Sequence, residues 1–388
     1  MTLLAKQAGP LHGIRVLEIC HMLAGPYCGM LLADLGADVI KIEYGDGDIS
    51  RRTGDCFLGG HNVYFASLNR NKKSVMLDLT SEQDRAELFK LVATANGLVT
   101  NLRPTAIKKL GLTYDFLKTY NPNIVCLALT GFGLEGPFSN LPAYDYIIQA
   151  LTGVALLTGD PNGPPVRAGY SVVDNTGGMM ATIGLLAMML EGRGGQVDVA
   201  LYDSVLSQLN YLASQYLNSG VEPVRHTMGG HSFFVPAQIF STRNGHIAIF
   251  ITHDKFWRIF AEAIKRPEWL KDQRFATMEA RSKHREIVVE SIAEELSKKT
   301  ADEWVNLFAP LGLVVAGVGT LAQAVDSQNT QERRMIASIT TKDGPLRLIA
   351  NPIKVDGFDE SYAAPPALGE HTALYRGCHV AAAAKARG

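Results

Sequence analysis

The sequence predicts an α/β protein in which a doubly wound parallel sheet forms a large domain and a smaller α+β domain interrupts it. Three observations carry this expectation. Apolar, glycine-bounded runs alternate with helical segments from Ile14 to Thr130. Near Arg225 the texture changes to short strands around Asn244-Gly245, a hairpin signal, followed by amphipathic helices. Strand-like residues then return at Pro345 to Ile349. The expected division is 1–222 for the first part of the large domain, 223–325 for the small domain, and 326–388 for a return segment that completes the large one.

Ile14 to Cys20 has the pattern of a buried strand, followed by a Gly/Pro loop and an apolar helix from Tyr27 to Leu35 that Gly36 closes. Asp38 to Glu43 is the next strand, and strand–helix–strand is the unit of a parallel sheet with a right-handed crossover. The alternation continues with a strand at Ser74 to Leu79, a helix at Glu82 to Ala93, a strand at Gly97 to Asn101, a helix at Ala106 to Leu110 and a strand at Ile124 to Thr130. This is a Rossmann-like order of elements. Residues 131–178 are dense in Gly and Pro and predict a long loop, a place where function concentrates. Met179, Ile183, Leu186, Ala187 and Leu190 then fall at helical spacing, before Gly192 and Gly194-Gly195 end the run. Val197 to Leu201 predicts a strand, and Tyr202 to Leu217 one helix. In the second domain, Lys255 to Ile264 and Arg285 to Lys298 predict helices.

Composition excludes several classes. Lys and Arg number 37 against 38 Asp and Glu, so no global positive field predicts a nucleic-acid or anionic-membrane partner. The cysteines, Cys20, Cys28, Cys56, Cys126 and Cys378, show no metal-ligand spacing and are expected to be reduced packing residues. No metal site is expected. The first residues lack a signal-peptide pattern, and no uninterrupted apolar stretch reaches about 18 residues, so the expectation is a cytoplasmic protein without a membrane span.

Three stretches are candidates for chemistry. In the first, His21 to Pro26 joins a strand to a helix and Glu43 ends the next strand, as in a nicotinamide-dinucleotide site. Gly25, Pro26 and Gly29 do not form GxGxxG, however, and the segment equally fits a tight turn. In the second, Asn101-Leu-Arg-Pro104 enters a helix carrying Lys108 and Lys109, which suits phosphate binding or simply a solvated face. The third runs from Gly131-Phe-Gly through Tyr144-Asp145, Gln149 and Pro164-Pro165 to Asp174, which stands before Asn175-Thr-Gly-Gly at a helix-capping position. A cap alone contributes about 0.5–2 kcal/mol.

The ordered set Leu23-Ala-Gly-Pro26, Leu32 to Glu43, Asn69-Arg-Asn-Lys-Lys-Ser74, Gly131-Phe-Gly…Gly-Pro137, Tyr144-Asp145 and Leu368-Gly-Glu-His-Thr372 resembles the class III coenzyme A transferases from Leu11 to Thr372. The resemblance implies that Asp174 is a nucleophile. It implies coenzyme A contacts at Leu23, Ala24, Leu77, Asp78, Leu79, Thr80, Asn101, Leu102, Arg103, Lys109 and Asp145, and substrate contacts at Tyr144, Arg167, Gly229 and Gly230. The implied partners are an acyl-CoA and a small carboxylic acid, with no tightly bound cofactor, and an interlocked homodimer. Arg167 resembles the arginine of succinate-linked members, where it meets a second carboxylate, or it pairs with a neighbouring acid. Leu23, Tyr44 and Thr105 depart from the formyl-CoA subgroup, which has Gln, Arg and Gly there. Racemases of this family use a histidine where Tyr144 stands, and tyrosine is a poor base at neutral pH. An aspartate is ionised at neutral pH and needs no adjacent base to attack a thioester. The glycines after Asp174 are expected to supply amides for the oxyanion.

Overall fold

The structure is a computed structural model, described for residues 9–376. Six strands, β1 (Arg15–Ile19), β2 (Asp38–Glu43), β3 (Lys73–Met76), β4 (Gly97–Thr100), β5 (Val125–Thr130) and β6 (Gly195–Ala200), form one sheet in the order 3-2-1-4-5-6. All five pairings are parallel. This is the doubly wound order, with its switch point between β1 and β4. Helix α2 (Val63–Asn69) precedes β3, and α3 (Glu82–Val92) and α4 (Pro104–Leu110) enclose one core with the sheet, through Leu88, Leu91, Ile107, Leu17 and Leu98. Helices α1 (Ala24–Asp34) and α6 (Val172–Glu191) pack on each other, and α6 also lies against β5 and β6. The contact of α1 with α6 is backbone-close: a methyl at Gly178 would lie 2.7 Å from the Ala24 carbonyl oxygen.

Sequence and structure differ at three places. The strand expected to reach Leu79 stops at Met76, because Asp84 accepts from the Asp78 amide at 2.7 Å and Asp78 from the Thr80 amide at 2.9 Å, turning the chain out of the sheet. The loop expected over residues 131–178 contains helix α5 (Asp145–Leu151) and a short helical turn, Val154–Leu157. The single helix expected from Tyr202 is two, α7 (Leu201–Gln208) and α8 (Asn210–Ser219). At the break, Asn210 Oδ1 takes the Tyr211 amide at 2.5 Å.

The described chain divides into two compact units, one of residues 9–152, 170–209 and 328–376, the other of residues 153–169 and 210–327. Residues 153–169 and 210–222, expected in the large domain, thus belong to the second unit, where the Arg225 guanidinium pins the first of these segments by its Thr158, Gly163 and Pro164 carbonyls. In that unit β7 (Ala237–Thr242), β8 (Gly245–Phe250) and β9 (Val314–Gly317) form an antiparallel sheet in the order β9-β8-β7. Phe240, Ile247 and Ile249 pack against Trp257, Phe260, Ile292, Trp304 and Phe308.

Within the first unit, charge is buried inside the large sheet. Lys41 and Glu18, register partners on β2 and β1, are fully buried and 2.8 Å apart. Lys41 also meets Asp48 at 2.8 Å and the Cys20 carbonyl at 2.8 Å, while Lys72 takes the other oxygen of Glu18 at 2.7 Å. Burial disfavours the Lys41 ammonium, but Glu18, Asp48 and Glu43 outweigh it and hold its pKa above the ordinary value; for Lys72 burial prevails and the pKa falls. Gly29 is required by this cluster, because a methyl there would lie 1.8 Å from Glu18 Oε2. At the sheet edge, the 369–372 segment covers β3: Ser74 Oγ accepts from the Gly369 amide at 2.9 Å, the Ser74 carbonyl from the His371 amide at 2.9 Å, and Thr372 Oγ1 from the Met76 amide at 3.0 Å.

Lys41→Met leaves Glu18 and Asp48 buried without their shared cation. The expected loss is about 3–5 kcal/mol in urea denaturation, and a variant of unchanged stability would mean that water or Lys72 already compensates the two carboxylates.

Candidate active site

After β1 the chain turns through His21-Met22-Leu23 into α1; after β4 it turns through Asn101-Leu102-Arg103 into α4. The two turns flank the switch point, where ligands of open parallel sheets bind. Each is locked. Asn101 accepts from the His21 amide at 3.1 Å and donates to the His21 carbonyl at 2.8 Å. Met22 sits in the left-handed region at φ 67°, its amide donated to Asp48 Oδ1 at 3.0 Å. The buried cluster around Lys41 therefore reaches the wall of the cleft through Asp48.

Two cavities open on these turns. One of about 370 Å³ is lined by His21 to Ala24, Asn101 to Ala106, Thr130, Gly131, Leu141, Tyr144 and Asp174, among others. It gathers Leu23, Ala24, Asn101, Leu102, Arg103, Tyr144 and Asp174 from the sequence-derived set. The other, about 270 Å³, is lined by Leu77, Asp78, Leu79 and Thr80, with Tyr44, Leu110 and neighbours, and shares His21 and Leu102 with the first. Arg103 is exposed, and no carboxylate among the described residues lies within ion-pair reach of it. Lys109 is exposed on α4 and lines neither cavity. Arg167, Gly229 and Gly230 belong to the second unit, and the two glycines line a cavity within it.

Asp174 stands in the first turn of α6, whose N-cap is Ser171, so it is not the cap the sequence suggested. The capping carboxylate is Asp145, remote in sequence. Its Oδ2 accepts from the Val173 amide at 2.9 Å and the Asp174 amide at 3.4 Å, and its Oδ1 from Gln149 Nε2 at 2.6 Å. Asp145 is buried and lines neither cavity. The Asn175 amide is taken by the Ser171 carbonyl, and the glycines beyond it lie inside the helix. The oxyanion role expected of that turn therefore falls away. Helix α1, by contrast, has no side-chain cap at Leu23, and Leu23 and Ala24 face the same cavity as Asp174.

Burial, and then the charge of Asp145, push the Asp174 carboxyl from its ordinary 3.8 up to about 7. Tyr64, which the sequence did not single out, lies in the same field: burial first, then Asp174, Asp48 and Asp145, push its phenol up. Its amide is held by Asn62 Oδ1 at 2.9 Å. His21, on the wall between the cavities, is held below the ordinary imidazole value by burial.

The dinucleotide alternative meets a direct obstacle. Glu43 is bound by Arg51 at 2.8 and 2.6 Å, by Ser74 Oγ at 2.5 Å and by the Asp48 amide at 3.0 Å, which leaves no carboxylate for a ribose. Gly25 and Gly29 serve packing instead: methyls there would meet Cys20 Sγ at 2.5 Å and Glu18 at 1.8 Å. Among the described cysteines, Cys20, Cys28 and Cys126 are buried as expected, but Cys56 is exposed; Cys378 lies outside the described residues.

Comparison with known proteins places this geometry. The model of CoA-transferase family III matches residues 11–372. An acetyl-CoA:oxalate CoA-transferase of Acetobacter aceti is 32% identical over 381 residues, covering 96% of each chain. A succinate–glutarate CoA-transferase of Agrobacterium fabrum is 31% identical, again over 96% of each. The crystal structure of a CaiB/BaiF family protein from Brucella suis superposes with a TM-score of 0.84 at 31% identity, covering 95% of this chain and 99% of that one.

A carboxyl whose folded pKa is about 7 against an ordinary 3.8 is one the fold prefers protonated. Its stabilising contribution is full below the ordinary value and is lost as pH rises through about 7. Asp174→Asn should therefore raise the melting temperature at about pH 8 and leave it nearly unchanged at about pH 4, read by calorimetry. Equal shifts at both pH values would show that titration of this group is not the cause.

Proposed function

The chain belongs to CoA-transferase family III, and on that premise we propose that it moves coenzyme A from an acyl-CoA to a free carboxylic acid through covalent intermediates on Asp174. The observation that carries this reading is the position of Asp174, half-buried in a cavity walled by the uncapped end of α1 and by the 101–103 turn. The adjoining cavity at Leu77 to Thr80 suits the nucleotide end of coenzyme A, with exposed Arg103 as a cation for its phosphates. The thioester end then reaches toward Asp174.

In the first step an Asp174 carboxylate oxygen attacks the thioester carbonyl; a C–O bond forms, the C–S bond breaks, and a mixed anhydride and CoA thiolate result. The thiolate attacks the Asp174 carbonyl of the anhydride, forming aspartyl-CoA thioester and releasing the donor acid as carboxylate. The acceptor carboxylate attacks that thioester, regenerating an anhydride and the thiolate. Thiolate attack on the acceptor's acyl carbon yields the new acyl-CoA and restores Asp174. No net proton transfer occurs, which fits a site whose central residues are carboxylates rather than a nucleophile with its base. The α1 N-terminus, which has no side-chain cap and whose Leu23 and Ala24 line the same cavity as Asp174, supports a role for its amides in taking the developing oxyanion. Succinyl-CoA is the first donor to try, since relatives act on short dicarboxylates by their names.

The enzyme we propose is a cytoplasmic homodimer. Met179, Met180, Ile183 and Leu190 of α6 and Tyr146, Ile147 and Leu151 of α5 are exposed on the first unit. Helix α6 is also long and apolar enough to cross a membrane. Its buried face, with Val173, Ala181 and Leu185, packs on α1 and on β5 and β6, as the core helix of a folded unit does. The interlocking of two chains is the form the family resemblance implies.

Incubation with succinyl-CoA and quenching with hydroxylamine should leave a mass change confined to the peptide bearing Asp174 and missing from Asp174→Ala. Coenzyme A binding without any such change would move the assignment to a non-covalent isomerase. Because the nucleophile must be ionised, kcat/KM for the acyl-CoA should rise with pH through about 7. Asp145→Asn keeps an acceptor for the α6 amides but removes the like charge, and should move that rise to lower pH; an unmoved profile would assign the titration elsewhere.

A further inference from the structure

Inside the second unit a buried cation has no counter-charge. Arg285 donates through Nη2 to the His231 and Ser232 carbonyls at 2.8 and 3.2 Å, while its Nη1 is buried without a hydrogen-bond partner. No carboxylate among the described residues lies within ion-pair reach of it, and burial, opposed by no acid, lowers its pKa. A guanidinium taken out of water and left unpaired is the costly case, and such a group calls for an anion.

The wall that Arg285 braces belongs to a cavity of about 650 Å³, within the span of about 300–1,000 Å³ typical of small-molecule sites. Arg225, His226 and His231 line this cavity, and no Asp or Glu does. Arg225 is engaged, donating to the Thr158, Pro164 and Gly163 carbonyls at 3.1, 2.9 and 2.9 Å. His231 accepts the Phe233 amide on Nδ1 at 3.1 Å, which leaves its Nε2 as the N–H donor. Burial, then Arg285, hold the imidazoles of His226 and His231 below their ordinary value. The field here has one sign.

Gly230 stands between Nη1 and the cavity. A methyl built on it would lie 3.3 Å from Nη1, 3.3 Å from Gln238 Oε1 and 2.8 Å from His226 Cβ, and Gly230, Gln238 and His226 all line the cavity. A side chain at 230 would occupy the middle of these groups; glycine leaves the guanidinium only a backbone away. The floor is of another kind. The register sets Ala248 opposite Ile239 and Ala316, and Phe250 opposite Ala237 and Val314, so these six side chains share one apolar face of the small sheet. Phe240 and Ile247, on the opposite face, are buried in the core of the unit.

We propose that the second unit binds an organic carboxylate, its charge at the Gly230 wall in the field of Arg285 and its apolar body on the floor at Ala248 and Ala316. The bound anion supplies the counter-charge that the chain does not. All of these residues belong to one unit, so the site requires no chemistry on Asp174 and goes beyond the transfer reading above.

Calorimetric titration of the full-length protein, without coenzyme A, compares benzoate with benzamide, which keeps the ring and loses the charge. Benzoate should bind about tenfold or more tightly than benzamide, and Arg285→Met should bring the two level. Ala248→Phe fills the floor, leaves the guanidinium in place and should weaken both ligands, which keeps the test open if Arg285→Met fails to fold. Asp174→Ala should bind benzoate as the native chain does. Equal binding of benzoate and benzamide by the native chain, or benzoate binding unmoved by Arg285→Met and Ala248→Phe, overturns the proposal. Loss of benzoate binding in Asp174→Ala assigns the acid to the first unit and overturns it as well.

Discussion

The cleft stands on charges that the sheet keeps inside itself. Glu18 on β1 and Lys41 on β2 are register partners with no solvent exposure, and each is tied a second time, Glu18 to Lys72 and Lys41 to Asp48. Such a cluster is a modest source of stability compared with hydrocarbon of the same volume, yet removing one member is costly. What it supplies is register and position. A slip of one residue between β1 and β2 would separate Glu18 from Lys41, and displacing Asp48 would release the Met22 amide and the left-handed turn that shapes the cavity. The wall of the cavity is thus determined beneath it, by side chains that are closed to solvent.

Asp145 and Asp174 show the complementary arrangement. One carboxylate is saturated by donors: two amides of α6 and the Gln149 amide group. The other has its main chain fixed by that interaction and its side chain left facing a like charge in a half-buried cavity. The element that orders the helix is also the element that makes its first turn uncomfortable for a second anion. Burial is the larger cause of the raised Asp174 pKa and Asp145 the second, so the order of the helix and the raised pKa share one of their origins.

Much of the frame was legible from periodicity. The segments at 14–20, 38–43, 97–101 and 124–130 correspond to β1, β2, β4 and β5; β5 is apolar up to Thr130 because both its faces are buried, whereas β1 and β2 enclose the buried charges Glu18 and Lys41. Misreadings arose wherever a side chain's partner is remote in sequence. Glu43 has the position of a ribose ligand, but Arg51 and Ser74 have already bound it. Asp174 has the position of a cap, but Asp145 supplies one from 29 residues away. The motifs Leu32 to Glu43 and Asn69 to Ser74, which carry much of the family resemblance, turn out to be two halves of one polar assembly, buried at Asp34 with Arg70 and at Glu43 with Ser74 and partly exposed at Asp38 with Lys73. Tyr64 gave no signal at all, since a lone tyrosine in an apolar run has the pattern of core.

The covering of β3 by residues 369–372 also has a meaning in time. Ser74 and His371 are 297 positions apart, and until residues 369–372 have left the ribosome, the first three strands have an edge with unpaired amides and nothing to close it. During synthesis that edge is open to any other extended chain nearby, including another nascent copy of itself. The Gly-Glu-His-Thr motif is in this sense a late-arriving safeguard: it finishes a surface begun hundreds of residues earlier, and a messenger truncated shortly before it would encode all six strands of the large sheet together with a place for aggregates to start.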